Sequence, residues 1–144
     1  MRILVLNGPN LNMLGKRSKS HYGIKTLSLI NEQLVKNFPE IELEFFQSNI
    51  EGELISKVQE AHNKFKGLII NPGGFAHTSV ALRDALELLD IPKIEVHLSN
   101  VAARESFRSI MLTASVCNGY ISGFKEYSYI AGIQLLKSLI KKKG

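Results

Sequence analysis

The sequence predicts an α/β domain: a three-layer sandwich whose five-stranded parallel sheet, in the order 2-1-3-4-5, lies between helices. Three observations carry this. Short apolar runs bounded by turn residues alternate with segments of helical period along the 144 residues. No linker, repeat or low-complexity stretch interrupts them, so residues 1–144 read as one domain. The run Ile41 to Phe46 alternates apolar and charged residues, the mark of a strand with one wet face and hence of a sheet edge.

Taken in order, Ile3 to Leu6 is a buried strand. Leu27, Ile30, Leu34 and Phe38 line one face of a helix that Thr26 caps and Pro39 stops. The second strand follows, with Ile41, Leu43 and Phe45 against Glu42 and Glu44. Leu54, Ile55, Val58, Ala61 and Phe65 form a second helical stripe, Gly67 to Ile70 a third strand, and Thr78 to Leu89 a third helix. Lys93 to His97, entered through Pro92, is the fourth strand. After a short acidic and basic segment, Arg104 to Arg108, Tyr120 to Ser122 is a weak fifth strand, and Tyr129, Ile133, Leu136 and Ile140 define a closing helix.

Strands joined by helical crossovers are parallel with right-handed connections, and the flavodoxin-like order 2-1-3-4-5 places the half-polar second strand at an edge. Strands 1, 3 and 4 are then neighbours. Open α/β sheets bind ligands beyond the carboxyl ends of their strands, at the switch point between strands 1 and 3, so the loops after these three strands are where chemistry is expected.

Composition narrows the classes. With 44% hydrophobic and 22% charged residues the chain is globular in character. No apolar run approaches the roughly 20 residues of a membrane helix, and no export signal precedes Asn7-Gly8-Pro9. The single cysteine, Cys117, suits a reducing cytoplasm. The net charge of +5 is concentrated in Lys137, Lys141, Lys142 and Lys143. Such a tail either complements a helix dipole or touches nucleic acid, and it lacks the aromatic interleaving that nucleic-acid binding uses.

The loop after strand 1, Asn7 to Gly23, shows no helical or strand period over seventeen residues. That length is either a disordered connector or a functional loop. In favour of function, Asn7, Asn10 and Asn12 supply amide groups beside the sheet, and Arg17 lies five residues before Tyr22. A tyrosine ionises only near pH 10 in water, so phenolate chemistry near neutrality needs a permanent cation such as arginine beside it. Gly15-Lys16 resembles the end of a phosphate loop, but six residues separate Gly8 from Gly15, and Arg17 stands where Ser or Thr would hold magnesium.

After strand 3, Asn71 is followed by Gly73-Gly74 and a helix begun by Thr78 or Ser79. This is either an ordinary Gly-Gly turn or a place where Asn71 and His77 bond a carboxylate or hydroxyl near a helix N-terminus. On strand 4, Glu95 and His97 share a face because side chains alternate with period 2. The pair is either a carboxylate-oriented general acid or base, or a hydrogen-bonded structural histidine. His21 and His62 read as surface residues, and no spacing of His, Cys, Asp and Glu resembles a metal site.

Together NGPNLNMLGKR with HYG, QSNIEGELI, NPGGFAHTSVALRDAL and IEVHLSN with RESFR resemble the type II 3-dehydroquinate dehydratase family, over nearly all of Ile3 to Arg108. The resemblance implies a flavodoxin-like subunit without cofactor or metal, which converts 3-dehydroquinate to 3-dehydroshikimate through an enolate in the shikimate pathway of aromatic amino-acid biosynthesis. It implies Tyr22 as base, Arg17 as the support of its ionised form, His97 as the acid that protonates the departing hydroxyl, and Asn10 as the group that stabilises the enolate. Asn71, His77, Leu98, Ser99 and Arg108 match substrate-binding positions, and Asp84 matches an aspartate that reaches a neighbouring subunit's site in a trimer. Four trimers would form a dodecamer. The chain departs from the family's pattern at Ala102, at Ser109-Ile110-Met111 and at Phe124 to Tyr129, positions that bear on packing and lid contacts. A flavodoxin-like binding module without chemistry is the alternative, and its phosphate loop or acidic cluster is absent from the sequence.

Overall fold

Strict alternation of side chains along the central strands builds two apolar layers from one sheet. In the computed structural model, which describes residues 1–144, β1 (Arg2–Asn7) sends Ile3 and Val5 to one face and Leu4 and Leu6 to the other. In β3 (Gly67–Asn71) Ile69 joins the first layer, with Leu68 and Ile70 in the second. β2 (Glu42–Gln47), β4 (Lys93–His97) and β5 (Gly119–Ser122) complete a parallel sheet of order β2-β1-β3-β4-β5, with β2 at the edge.

The helices divide by face. α1 (Lys19–Tyr22) is a single turn inside the loop after β1. α2 (Leu27–Asn37) and the last helix cover one side of the sheet through Ile30, Leu34, Tyr129, Ile133 and Leu136. α3 (Glu51–Ala61) covers the other through Leu54 and Val58. α4 (Phe75–Thr78) is a second single turn, followed by α5 (Val80–Leu88) on the α3 side and α6 (Tyr127–Lys143) at the end. Each large aliphatic side chain sealed in these layers contributes about 1.5–3 kcal/mol of transfer free energy, and that gain holds the helices against the sheet.

Several elements differ from the sequence reading. The loop after β1 contains a 3-10 turn, Leu11–Met13, besides α1. Leu11 and Leu14 tuck into the α2/α6 layer, so the loop has an apolar anchor too sparse to register as a period. Of the two helix starts that the sequence offered, Thr78 ends the turn α4 and Ser79 begins α5: its backbone is extended and its hydroxyl accepts from Leu82 N–H at 2.9 Å, capping the helix. Ala81, though apolar, is exposed on that helix. Between β4 and β5 the chain winds through 3-10 turns at Val101–Ala103, Ser106–Ser109 and Ala114–Val116.

At the carboxyl end of the sheet two loops meet backbone to backbone. Gly8 N–H donates to the Asn71 carbonyl at 2.7 Å. A Cβ on Gly8 would lie 2.3 Å from the Pro72 carbonyl oxygen, and one on Gly73, whose φ is +60°, would lie 2.8 Å from that of Pro9. Both positions require glycine, for space at the first and for space and conformation at the second.

Candidate active site

Above that backbone floor lies a cleft bounded by the loops after β1, β3 and β4. Only four of its fifteen lining residues are hydrophobic; Arg17, Arg104 and Arg108 line it and no carboxylate does, which suits a small, polar, anionic ligand. Asn10, Tyr22, Asn71, His77, His97, Leu98 and Ser99 line it as well, so every expected site residue except Glu95 and Asp84 borders the same space.

Tyr22 is half-buried rather than freely exposed, and its ring packs against the α2/α6 layer. Its hydroxyl oxygen accepts from Arg17 Nη2 at 2.7 Å and from Arg104 Nη1 at 2.5 Å. The Arg17 guanidinium also lies 3.7 Å from the ring centroid. Two charge-assisted donors converging on one oxygen suit an oxygen that carries negative charge. Burial lowers the pKa of Arg17 from its ordinary value, helped by repulsion from Arg104 and Arg108 and opposed by Tyr22. Arg104 is the residue that sequence reasoning missed. Its signal was present, since it opens the Arg104 to Arg108 segment, but the contact joins residues 82 apart in the chain.

On β4 the shared face brings Glu95 and His97 together, with Nε2 of the imidazole 2.7 Å from Glu95 Oε2. Glu95 is completely buried and His97 nearly so. The second carboxylate oxygen accepts from the Thr113 hydroxyl. The His77 ring stacks beside that of His97, with centroids 6.3 Å apart. His77 Nδ1 is 2.7 Å from the Ile110 carbonyl, which can only accept, so the proton sits on Nδ1 and Nε2 is left to receive a ligand hydroxyl.

The three asparagines of the first loop part company. Asn10 sits in the left-handed region at φ 69°, held by its N–H donating to Asn49 Oδ1 at 3.0 Å, and borders the cleft. Asn12 is exposed. Asn7 turns down beneath the site, where its Oδ1 accepts from the Tyr129 hydroxyl at 2.6 Å, and the Tyr129 hydroxyl oxygen accepts in turn from Asn71 Nδ2 at 2.9 Å. The Asn7, Asn71 and Tyr129 side chains are all buried, and burial raises the Tyr129 hydroxyl well above its usual range. Asn71 Oδ1 also accepts from Gly73 N–H at 3.2 Å, so the floor fixes this amide from both ends.

Arg108 borders the cleft with its Nε 2.5 Å from Glu105. The Ser99 hydroxyl accepts from Arg104 at 3.3 Å. Asp84, on the solvent side of α5, pairs with Arg83 at 3.0 Å and lies outside the cleft of its own chain. His62 is exposed and His21 half-buried. No group of three or more His, Cys, Asp or Glu side chains is arranged to hold a metal ion, and no helix is long and apolar enough to cross a membrane.

Comparison with known proteins places this geometry. The family model described as Dehydroquinase class II matches residues 1–137. A 3-dehydroquinate dehydratase of Clostridium perfringens is 49% identical, with 99% of this chain and 100% of the relative covered. One from Thermotoga petrophila is 46% identical, with 99% of each covered. Among solved structures, type II dehydroquinase from Butyrivibrio crossotus superposes with a TM-score of 0.92 at 48% identity, covering 95% of this chain and 97% of the other.

Proposed function

Because the chain belongs to the class II dehydroquinase family, we propose that its cleft removes water from 3-dehydroquinate through an enolate, with Tyr22 as base and His97 as acid. The overall reaction makes the chain a hydro-lyase of the shikimate pathway, acting as a 3-dehydroquinate dehydratase. The observation that carries the mechanism is the Tyr22 oxygen under two guanidinium groups, in a cleft that also holds the Glu95–His97 pair.

In the proposed sequence the Tyr22 oxygen takes a proton from the carbon between the ketone and the carbon that bears the leaving hydroxyl. The C–H electron pair moves into the enolate, and Asn10 favours the charge that develops on the ketone oxygen, in the manner of an oxyanion donor. The enolate then re-forms the ketone and expels the hydroxyl, which takes a proton from His97 and departs as water. Glu95 supports the protonated imidazole by opposite charge and fixes its orientation. The product is an enone conjugated with the substrate carboxylate. Asn71, His77 and Arg108 bind the hydroxyl groups, and Leu98 and Ser99 take the carboxylate through backbone N–H groups and the serine hydroxyl.

The assembly belongs to the same proposal: a homo-oligomer of trimers joined into a dodecamer, with Asp84 crossing to a neighbour's substrate. Exposed Leu88, at 83%, and Val80, at 57%, flank Asp84 on α5 and favour a covered surface there. A cytoplasmic setting is supported by the lone cysteine.

The test is ultraviolet absorbance on addition of 3-dehydroquinate, which rises as the conjugated enone forms. Tyr22→Phe should lower kcat by about 10²-fold or more while leaving the fold intact, since it removes one hydroxyl. Near-normal turnover in that variant would mean the base has been misassigned.

A further inference from the structure

The segment between Arg108 and β5 braces the site from behind. Leu112 N–H donates to the Ala76 carbonyl at 2.8 Å, and the Ile110 carbonyl holds His77. Thr113 turns inward and is completely buried. Its hydroxyl meets Glu95 Oε1, an atom that can only accept when the carboxylate is ionised, so Thr113 donates. The Thr113 carbonyl in turn accepts from Val116 N–H at 3.2 Å and from Cys117 Sγ at 3.4 Å, which fixes the residue at the head of its 3-10 turn. Thr113 itself does not border the cleft.

We propose that Thr113 is a positioning residue for the proton donor: by holding Glu95 Oε1 it sets the carboxylate plane, and through Oε2 it aims the His97 imidazole into the cleft. This rests on the reading of His97 as the acid of the dehydration. A carboxylate anchored at one oxygen turns easily about its terminal torsion, whose minima are broad, and an imidazole bound to it turns with it. A second anchor on the other oxygen removes that freedom. It also supplies a donor to a buried carboxylate that water does not reach. Because Thr113 touches neither the substrate's space nor Tyr22, its effect falls on the second half of the reaction and spares the first.

The experiment compares Thr113→Val, which replaces the hydroxyl by a methyl, with Thr113→Ser, which keeps it, and with Thr113→Cys, which offers a weaker donor. In Thr113→Val, kcat should fall about tenfold or more with KM little changed. In deuterium oxide, label should enter recovered 3-dehydroquinate beside the ketone more often per product formed, because the enolate regains a proton before it loses hydroxide. Thr113→Ser should restore both readings, and Thr113→Cys should fall between, which keeps the series decisive if the valine variant fails to fold. Equal slowing of exchange and dehydration, or wild-type kcat in the valine variant, would overturn the proposal. Full activity in His97→Ala would overturn it as well, by removing the acid assignment, while absence of dehydration in the wild type would instead strike the reaction assigned to the cleft.

Discussion

Replacing Tyr129 by phenylalanine tests the floor of the site with a single oxygen atom. The hydroxyl is completely buried, donates to Asn7 Oδ1 and accepts from Asn71 Nδ2. Without it, two buried polar atoms lose a partner. Asn7 Nδ2 already lacks one, so the whole Asn7 amide would then be unpartnered. Each orphaned group costs about 1–3 kcal/mol, partly offset because a phenyl ring is easier to bury than a phenol, for a net loss of about 3 kcal/mol. For a domain of this size that corresponds to a fall in Tm of about 10 °C. Thermal melts of both proteins at one concentration measure it, since the Tm of the proposed oligomer would depend on concentration. Steady-state kinetics supply the second reading. Asn71 keeps its bond to Gly73 but loses the one to Tyr129, so KM for 3-dehydroquinate should rise. An unchanged melt together with an unchanged KM would show that the three side chains do not act as a network.

Two further outcomes follow from surface and thiol chemistry. If the proposed trimer forms, Asp84→Ala should impair turnover, and mixing it with Tyr22→Phe chains should recover part of the activity, because some sites of a mixed trimer would receive both an intact Tyr22 and an intact neighbouring Asp84; a fully active monomer by light scattering would refute the shared site. Burial, followed by repulsion from Glu95, pushes the Cys117 thiol up to about 12, with Lys93 opposing. The folded chain therefore holds this proton more tightly than the unfolded chain does. The stability it contributes is complete below an ordinary thiol pKa of about 8.5 and is lost as pH rises from there toward 12. Alkylation of the native protein near pH 8 should be slow, and rapid labelling there would contradict the burial.

The sheet was legible because its central strands are apolar on both faces and its β2 edge is not: Leu4 and Ile69 against Glu42 and Glu44 put β2 at an edge, as the flavodoxin-like order requires. The Glu95–His97 contact was legible for the same reason, since period 2 alone places the two side chains together. Arg104, Thr113 and Tyr129 were not. Each acts through a partner 18 or more residues away, and nothing in a local pattern says which way a side chain turns once the loop around it is folded. Ser79 and Asn7 show the same limit in short range. Adjacent Thr78 and Ser79 both read as helix starts until one hydroxyl is seen capping the next turn, and an asparagine at a strand end can face a ligand or the interior.

The contact of Gly8 with Pro72 and of Gly73 with Pro9 leaves no room for a side chain at either glycine where the two loops cross. That region of the cleft is therefore closed to variation: any substitution there moves main chain before it alters the ligand's surroundings. Changes in what the cleft accepts must come through its walls, from the Arg17 to Tyr22 loop or the turn that carries Arg104 and Arg108. A library randomised at the cleft positions and at Gly8 beneath them should return glycine at 8 and 73 whatever ligand is used for selection, so the useful diversity lies in the loops that face them.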